Sequence, residues 1–143
     1  MSQASALTSS TATGCYAAST PFACTRREDG SGGAWVHVAG ELDLLTTPQL
    51  RQTLREAQLY AHTVVLDLRE LTFMDCSGVH VILDAAADTR RACGRLILTR
   101  GPAHIDRLLA ITHACEEIEI LDLNPSEATA QALSRLNRIW AAA

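Results

Sequence analysis

The sequence predicts a single α/β domain whose mixed, mostly parallel β-sheet has about five strands, packed with about four helices. Strand-like and helix-like segments follow the order β-β-α-β-α-β-α-β-α, which is typical of parallel strands joined by crossover helices. Residues 63–68 form a continuous apolar run rich in β-branched side chains, as expected of a strand buried on both faces. With 143 residues, 48% of them hydrophobic and 4% aromatic, the chain suits one modest aliphatic core.

The first ordered elements are predicted to be the two strands of a hairpin. Residues 22–29 and 34–40 read as strands around the turn-forming sequence GSGG. The preceding residues, 1–21, are rich in Ser, Thr and Ala without any periodicity, which predicts a disordered N-terminal arm. The folded domain is therefore expected to span residues 22–140.

An amphipathic helix is predicted next, over residues 46–60. Thr47 is the candidate N-cap and Pro48 suits the first helical position. The apolar side chains of this helix recur on one face, at Leu50, Leu54, Ala57 and Ala61. The strand at residues 63–68 follows it.

The second half of the chain continues the same alternation. A helix is predicted to begin near Ser77 and to end at Gly94, a candidate C-cap. Later elements are predicted as a strand at 95–99, a helix at 101–112, a strand at 117–121 and a last helix at 124–138.

Composition excludes several classes of function. The net charge of −4 disfavours direct nucleic-acid binding, and five cysteines without a CxxC pair favour neither a disulfide framework nor a structural zinc site. No apolar run approaches the roughly 18 residues of a membrane span, and the N-terminus does not resemble a signal peptide. We therefore expect a cytoplasmic protein without metal or cofactor, whose ligand is a protein or a small molecule.

The segment FMDCSGVHVILD, residues 73–84, passes from a strand into a helix and carries several reactive side chains. A phosphate on Ser77 would lie near the positive end of the helix dipole, which is worth about 0.3 to 1 kcal/mol. A plain capping role for Asp75 or Ser77 is the alternative. Cys76 is a possible redox site, and His80 lies one turn along the same face, as an exposed helix histidine.

Two motifs together resemble a known family. GELDLLTTPQLRQTL, followed by VVLDLRELTFMDCSGVHVIL, is similar to the STAS domain of bacterial anti-sigma factor antagonists, and the resemblance covers about residues 32–136. It implies a STAS-like fold and a non-enzymatic switch that regulates transcription. The unphosphorylated form would bind an anti-sigma factor with serine-kinase activity and so release a sigma factor, and a phosphatase would reverse the phosphorylation.

The resemblance also assigns roles to individual residues. In the family motif D-[ST]-[ST]-G, the phosphoacceptor matches Ser77, and the residues that frame it match Asp75 and Gly78. Asp43 matches a position near the partner-binding surface, and Glu41 and Thr46 belong to the same segment.

The sequence departs from the family motif at two positions. Cys76 stands where a first hydroxyl residue is usual, and His80 stands where a small residue is common. We expect both to lie on the partner-binding surface, with Cys76 open to thiol-based modulation. Two other functions therefore stay open: a STAS binding subunit of a transport or stress-sensing assembly, and a redox-responsive protein that uses Cys76.

Overall fold

The computed structural model describes residues 21–28, 32–123, 126–128, 131–132 and 134–135. Apart from its last residue, the predicted N-terminal arm lies outside this part of the chain, as does most of the predicted last helix. The elements are β1 (Ala23–Glu28), β2 (Gly33–Leu42), α1 (Thr47–Tyr60), β3 (Thr63–Met74), α2 (Cys76–Arg91), β4 (Arg95–Thr99), α3 (Ala103–Ile111), a 3-10 turn (Ala114–Glu116) and β5 (Glu119–Leu121).

The sheet has the strand order β1-β2-β3-β4-β5. β1 pairs with β2 in antiparallel orientation, and the remaining pairs are parallel. The predicted fold class is thus confirmed, with three helices and a 3-10 turn in the described residues where about four helices were expected. β1 lies at one edge of the sheet, and its Arg26, Arg27 and Glu28 are exposed.

The strand order places all three helices on the same face of the sheet. Each parallel connection moves to the next strand in one direction, and right-handed crossovers then put every helix on one side. The main core lies between these helices and the sheet, where Leu50, Ile82 and Ile105 are buried against strand residues such as Leu66 and Leu98. Each fully buried aliphatic side chain contributes about 1.5 to 3 kcal/mol.

The opposite face of the sheet carries a smaller core. Trp35, Val65 and Ile97 are buried there on three neighbouring strands, and Ala132 of the C-terminal segment packs against them. Ala132 therefore covers part of the face that the three helices leave open.

A buried charged network lies on this second face. The Asp67 carboxylate is fully buried and accepts hydrogen bonds from Trp35 Nε1 (3.1 Å), Thr99 Oγ1 (3.1 Å) and Arg69 Nη2 (2.8 Å). Arg69 Nη1 in turn donates to the carbonyl oxygen of Glu127 at 2.8 Å. Burial alone raises the pKa of Asp67, but the hydrogen bonds and charge of Arg69, with the bond from Trp35, lower that pKa to about 2.

Three local expectations need correction. The N-cap of α1 is Thr46 rather than Thr47, and Thr46 makes no side-chain capping bond. The residue with positive φ after α2 is Cys93 (φ 61°), so Gly94 is not the left-handed cap that the sequence predicts. Gly94 instead allows a close approach, since a Cβ there would lie 2.5 Å from the carbonyl oxygen of His62. β3 also continues to Met74, beyond the predicted end at residue 68.

Candidate functional site

The two motifs meet at the carboxyl edge of the sheet. In the register of β2 and β3, Glu41 is opposite Phe73 and Leu42 is opposite Met74. The backbone N–H of Asp75 donates to the carbonyl oxygen of Leu42 at 3.2 Å. The chain segments that follow the two strands are therefore joined directly, and in open α/β sheets this edge is the usual place for binding sites.

Asp75 caps helix α2. Its Oδ1 accepts hydrogen bonds from the backbone N–H groups of Ser77 (2.9 Å) and Gly78 (3.3 Å), and also from the hydroxyl of Ser77. The sequence allows either Asp75 or Ser77 to cap this helix. In the structure the cap is Asp75. The half-buried Ser77 hydroxyl is held against this carboxylate in the first turn of the helix.

Replacing Asp75 tests how much this cap stabilises the fold. We expect Asp75→Ala to lower the free energy of unfolding by about 0.5 to 2 kcal/mol, because two backbone donors lose their acceptor. Asp75→Asn keeps an acceptor oxygen and is expected to lose less than Asp75→Ala. Urea denaturation of the three proteins measures both differences, and equal losses for Asn and Ala would contradict a role in hydrogen bonding.

Gly78 lets the first turn of α2 lie close to the ends of β2 and β3. A Cβ at this position would come within 2.6 Å of Met74 Cγ and 2.9 Å of Leu42 Cδ2, both in buried side chains. Any larger residue must displace them, which typically costs about 1 to 3 kcal/mol. The glycine of the motif thus fixes the position of Ser77 relative to the sheet.

The segment after β2 forms a tight turn held by Asp43 and Thr46. Asp43 Oδ1 accepts hydrogen bonds from the backbone N–H groups of Leu45 (2.9 Å) and Thr46 (3.1 Å). Thr46 Oγ1 accepts from the N–H of Asp43 at 2.9 Å and donates to the carbonyl oxygen of Glu41 at 3.0 Å. The side-chain polar groups of Asp43 and Thr46 therefore form hydrogen bonds within the turn and stabilise its shape.

Cys76 and His80 lie on the exposed side of α2, at its first residue and one turn further along. Cys76 is a free cysteine. Both side chains are accessible beside Ser77, as the sequence predicts. Within the part of the chain that the structure describes, no cluster of three His, Cys, Asp or Glu residues suits a metal ion. No helix among the described residues has the length and apolar character to cross a membrane.

Sequence reasoning missed the apolar tip of the turn after β2. Leu44 and Leu45 are 72% and 86% exposed between Asp43 and Thr46. The available signal was an adjacent pair of leucines directly after the strand and outside the helical apolar face. It was not used because an apolar pair next to a helix start is normally assigned to the core.

A family model and two relatives identify the family of this chain. The model of the STAS domain family matches residues 27–130. An anti-sigma-B factor antagonist of Listeria monocytogenes is 33% identical over 86 residues, which are 59% of this chain and 75% of the relative. An anti-sigma-B factor antagonist of Listeria innocua matches with the same identity and coverage.

Solved structures have the same fold. The unphosphorylated form of the anti-sigma factor antagonist SpoIIAA has a TM-score of 0.67 at 20% identity, covering 80% of this chain and 96% of SpoIIAA. The phosphorylated form of SpoIIAA from Bacillus has a TM-score of 0.63 at 21% identity, covering 80% and 99%. An anti-sigma factor antagonist from Mycobacterium paratuberculosis has a TM-score of 0.61 at 24% identity, covering 84% and 99%. The predicted STAS-like fold is thereby confirmed.

Proposed function

This chain belongs to the STAS domain family, and from that premise we propose that it is an anti-sigma factor antagonist. In its unphosphorylated form it binds an anti-sigma factor that has serine-kinase activity, and a sigma factor is thereby released. A phosphatase restores the phosphorylated protein to the binding-competent form. The protein acts by binding in the cytoplasm and needs no cofactor of its own.

The observation that carries this proposal is the position of the Ser77 hydroxyl. It lies in the first turn of α2, beside the turn that Asp43 and Thr46 shape. Asp75 holds the hydroxyl by a direct hydrogen bond, and the Asp75 backbone is bonded to the end of β2. The position of this hydroxyl at the edge where the two motifs meet supports a role in both docking and modification.

Phosphorylation at this position changes the local electrostatics in a defined direction. A phosphate ester on Ser77 removes the hydroxyl hydrogen that Asp75 accepts, and it adds about −1.5 to −2 charges. The carboxylates of Asp75, Asp43 and Glu41 already lie at this edge and are partly exposed. A partner surface that fits the neutral Ser77 hydroxyl must then desolvate this added charge beside the existing carboxylates, and that cost weakens association.

A kinase assay tests the site. We expect Ser77→Ala to abolish phosphate incorporation when the protein is incubated with ATP and the candidate anti-sigma kinase of the same genome, because the acceptor oxygen is gone. Mass spectrometry of the intact protein and its peptides measures the modification.

Cys93→Ala is the matched control, because it changes an exposed free cysteine just beyond the far end of α2 and leaves the acceptor, the cap and Gly78 in place. It should be phosphorylated like the wild type. If Ser77→Ala is phosphorylated as fully as the wild type, the acceptor is another residue. Loss of phosphorylation in Cys93→Ala as well would mean that the effect of Ser77→Ala is not specific to the acceptor.

A further inference from the structure

The turn after β2 exposes two adjacent leucines, here called the di-leucine turn (Leu44 and Leu45). Leu45 is 86% exposed, more than any other large hydrophobic residue of the described chain. A single exposed leucine needs no explanation, but this pair lies at the edge where the two motifs meet, and exposed apolar surface there fits an interaction surface. Phe73, at the end of the neighbouring strand and opposite Glu41, is also 45% exposed. The apolar surface at this edge thus comes from both motifs.

The di-leucine turn is rigid rather than loose. Asp43 Oδ1 binds the N–H of Leu45 at 2.9 Å, and Thr47 Oγ1 donates to the carbonyl oxygen of Leu44 at 3.2 Å. Both backbone units are fixed in the isolated protein, so little conformational entropy is lost when a partner covers the side chains. A hydrogen-bonded backbone that presents exposed apolar side chains suits an interface anchor.

The charge around the di-leucine turn indicates the chemistry of the partner. The half-buried carboxylate of Glu41 makes no ion pair with any described residue, unlike most acidic side chains of the fold. Asp43 directs its carboxylate into the turn. The edge therefore presents two leucines beside three carboxylates that form no ion pair with described residues, those of Glu41, Asp43 and Asp75. A pocket lined by apolar side chains and bordered by an Arg or Lys complements such an edge.

We propose that the di-leucine turn is the apolar anchor by which this protein docks on its protein partner, and that Asp43 is a positioning residue that shapes the turn instead of contacting the partner. The occupant is a protein surface with an apolar pocket and a basic border. This inference rests on the proposed function, since the partner used to test it is the anti-sigma factor.

The first test measures affinity for the candidate anti-sigma factor by calorimetry. We expect the double variant Leu44→Ala/Leu45→Ala to bind at least about tenfold more weakly than the wild type, as anchors do on truncation. Its thermal midpoint should be unchanged, because both side chains are exposed. Leu59→Ala is the control, since Leu59 is 76% exposed in the last turn of α1, about 20 Å along that helix. It should bind within about twofold of the wild type.

The second test separates positioning from contact at Asp43. Asp43→Asn keeps the Oδ1 acceptor for Leu45 and Thr46 and should retain affinity, whereas Asp43→Ala should weaken binding. In the double-leucine background, Asp43→Ala should add little further loss, because both changes remove the same anchor. A loss in Asp43→Asn as large as in Asp43→Ala would indicate a direct charge contact and overturn the positioning role.

The outcomes distinguish this inference from the proposed function. If the wild type binds the anti-sigma factor and the double-leucine variant binds equally well, the anchor is overturned and the proposed function stands. If the wild type does not bind any anti-sigma factor of its genome, the proposed function fails and the inference fails with it. A wild-type dimer in sedimentation that the double variant dissociates would assign the turn to a second copy and overturn the proposed partner.

Discussion

Asp67→Ala is expected to lower the free energy of unfolding by about 3 to 5 kcal/mol, the usual cost of breaking a buried ion pair by removing one partner. The substitution removes the carboxylate that pairs with the guanidinium of Arg69 at 2.8 Å. It also removes the acceptor of Trp35 Nε1 and of the Thr99 hydroxyl, both of which are buried. Each orphaned donor adds to the penalty because water cannot reach it.

Chemical denaturation of Asp67→Ala measures this loss, and Asp84→Ala is its control. Asp84 pairs with Arg51 at 3.3 Å on the surface, with 60% of its side chain exposed, so its loss should cost about 1 kcal/mol or less. Asp67→Leu combined with Arg69→Met should cost less than the sum of the single changes, since no unpaired charge remains. Additive losses in the double variant would contradict a coupled ion pair.

Acidification is expected to remove about 2.5 kcal/mol of stability through Asp67 alone. The pKa of Asp67 is lowered to about 2 in the folded protein, and the ordinary value of an aspartate is about 3.9. Between these values the unfolded chain binds more protons than the folded one, so stability rises with pH. The contribution is therefore complete above about pH 5 and is lost as the pH falls through about 4 towards 2.

The pH dependence is measured as the difference between wild type and Asp67→Asn, since other carboxylates titrate in both proteins. Unfolding free energies at a series of pH values from about 6 to 2.5 should converge as the pH falls, because the variant cannot protonate at this position. A constant difference across the series would mean that Asp67 contributes no proton-linked stability.

Much of the fold follows from patterns within single segments. The run RLILT predicts β4 with the bounds that the structure has, because a short buried strand is apolar throughout. β3 was predicted too short because Arg69, Glu70 and Thr72 interrupt the apolar run. Pairing with β2, through a register shift, carries the strand on to Met74. Hydrogen bonding between strands of this kind cannot be predicted from the sequence of the segment alone.

The sequence predicts the candidate-site residues around Ser77 because they are neighbours along the chain. One short motif carries them, and it lies where a strand passes into a helix. The buried network was not predicted, although Asp67 stands within the apolar run VVLDL and so signals a paired carboxylate. Its partners come from β2, β4 and the C-terminal segment, and only the assembled sheet brings them together. The exposure of Leu44 and Leu45 likewise depends on which groups Asp43 binds.

The exposed charges on β1 bear on how the protein behaves at high concentration. An edge strand offers unpaired backbone groups to any second strand, and this is a route to aggregation. The exposed charged side chains of Arg26, Arg27 and Glu28 on β1 oppose such pairing. The strand farthest in the sheet order from β5 thus carries charged side chains that disfavour its pairing with a second copy and so limit aggregation at high concentration.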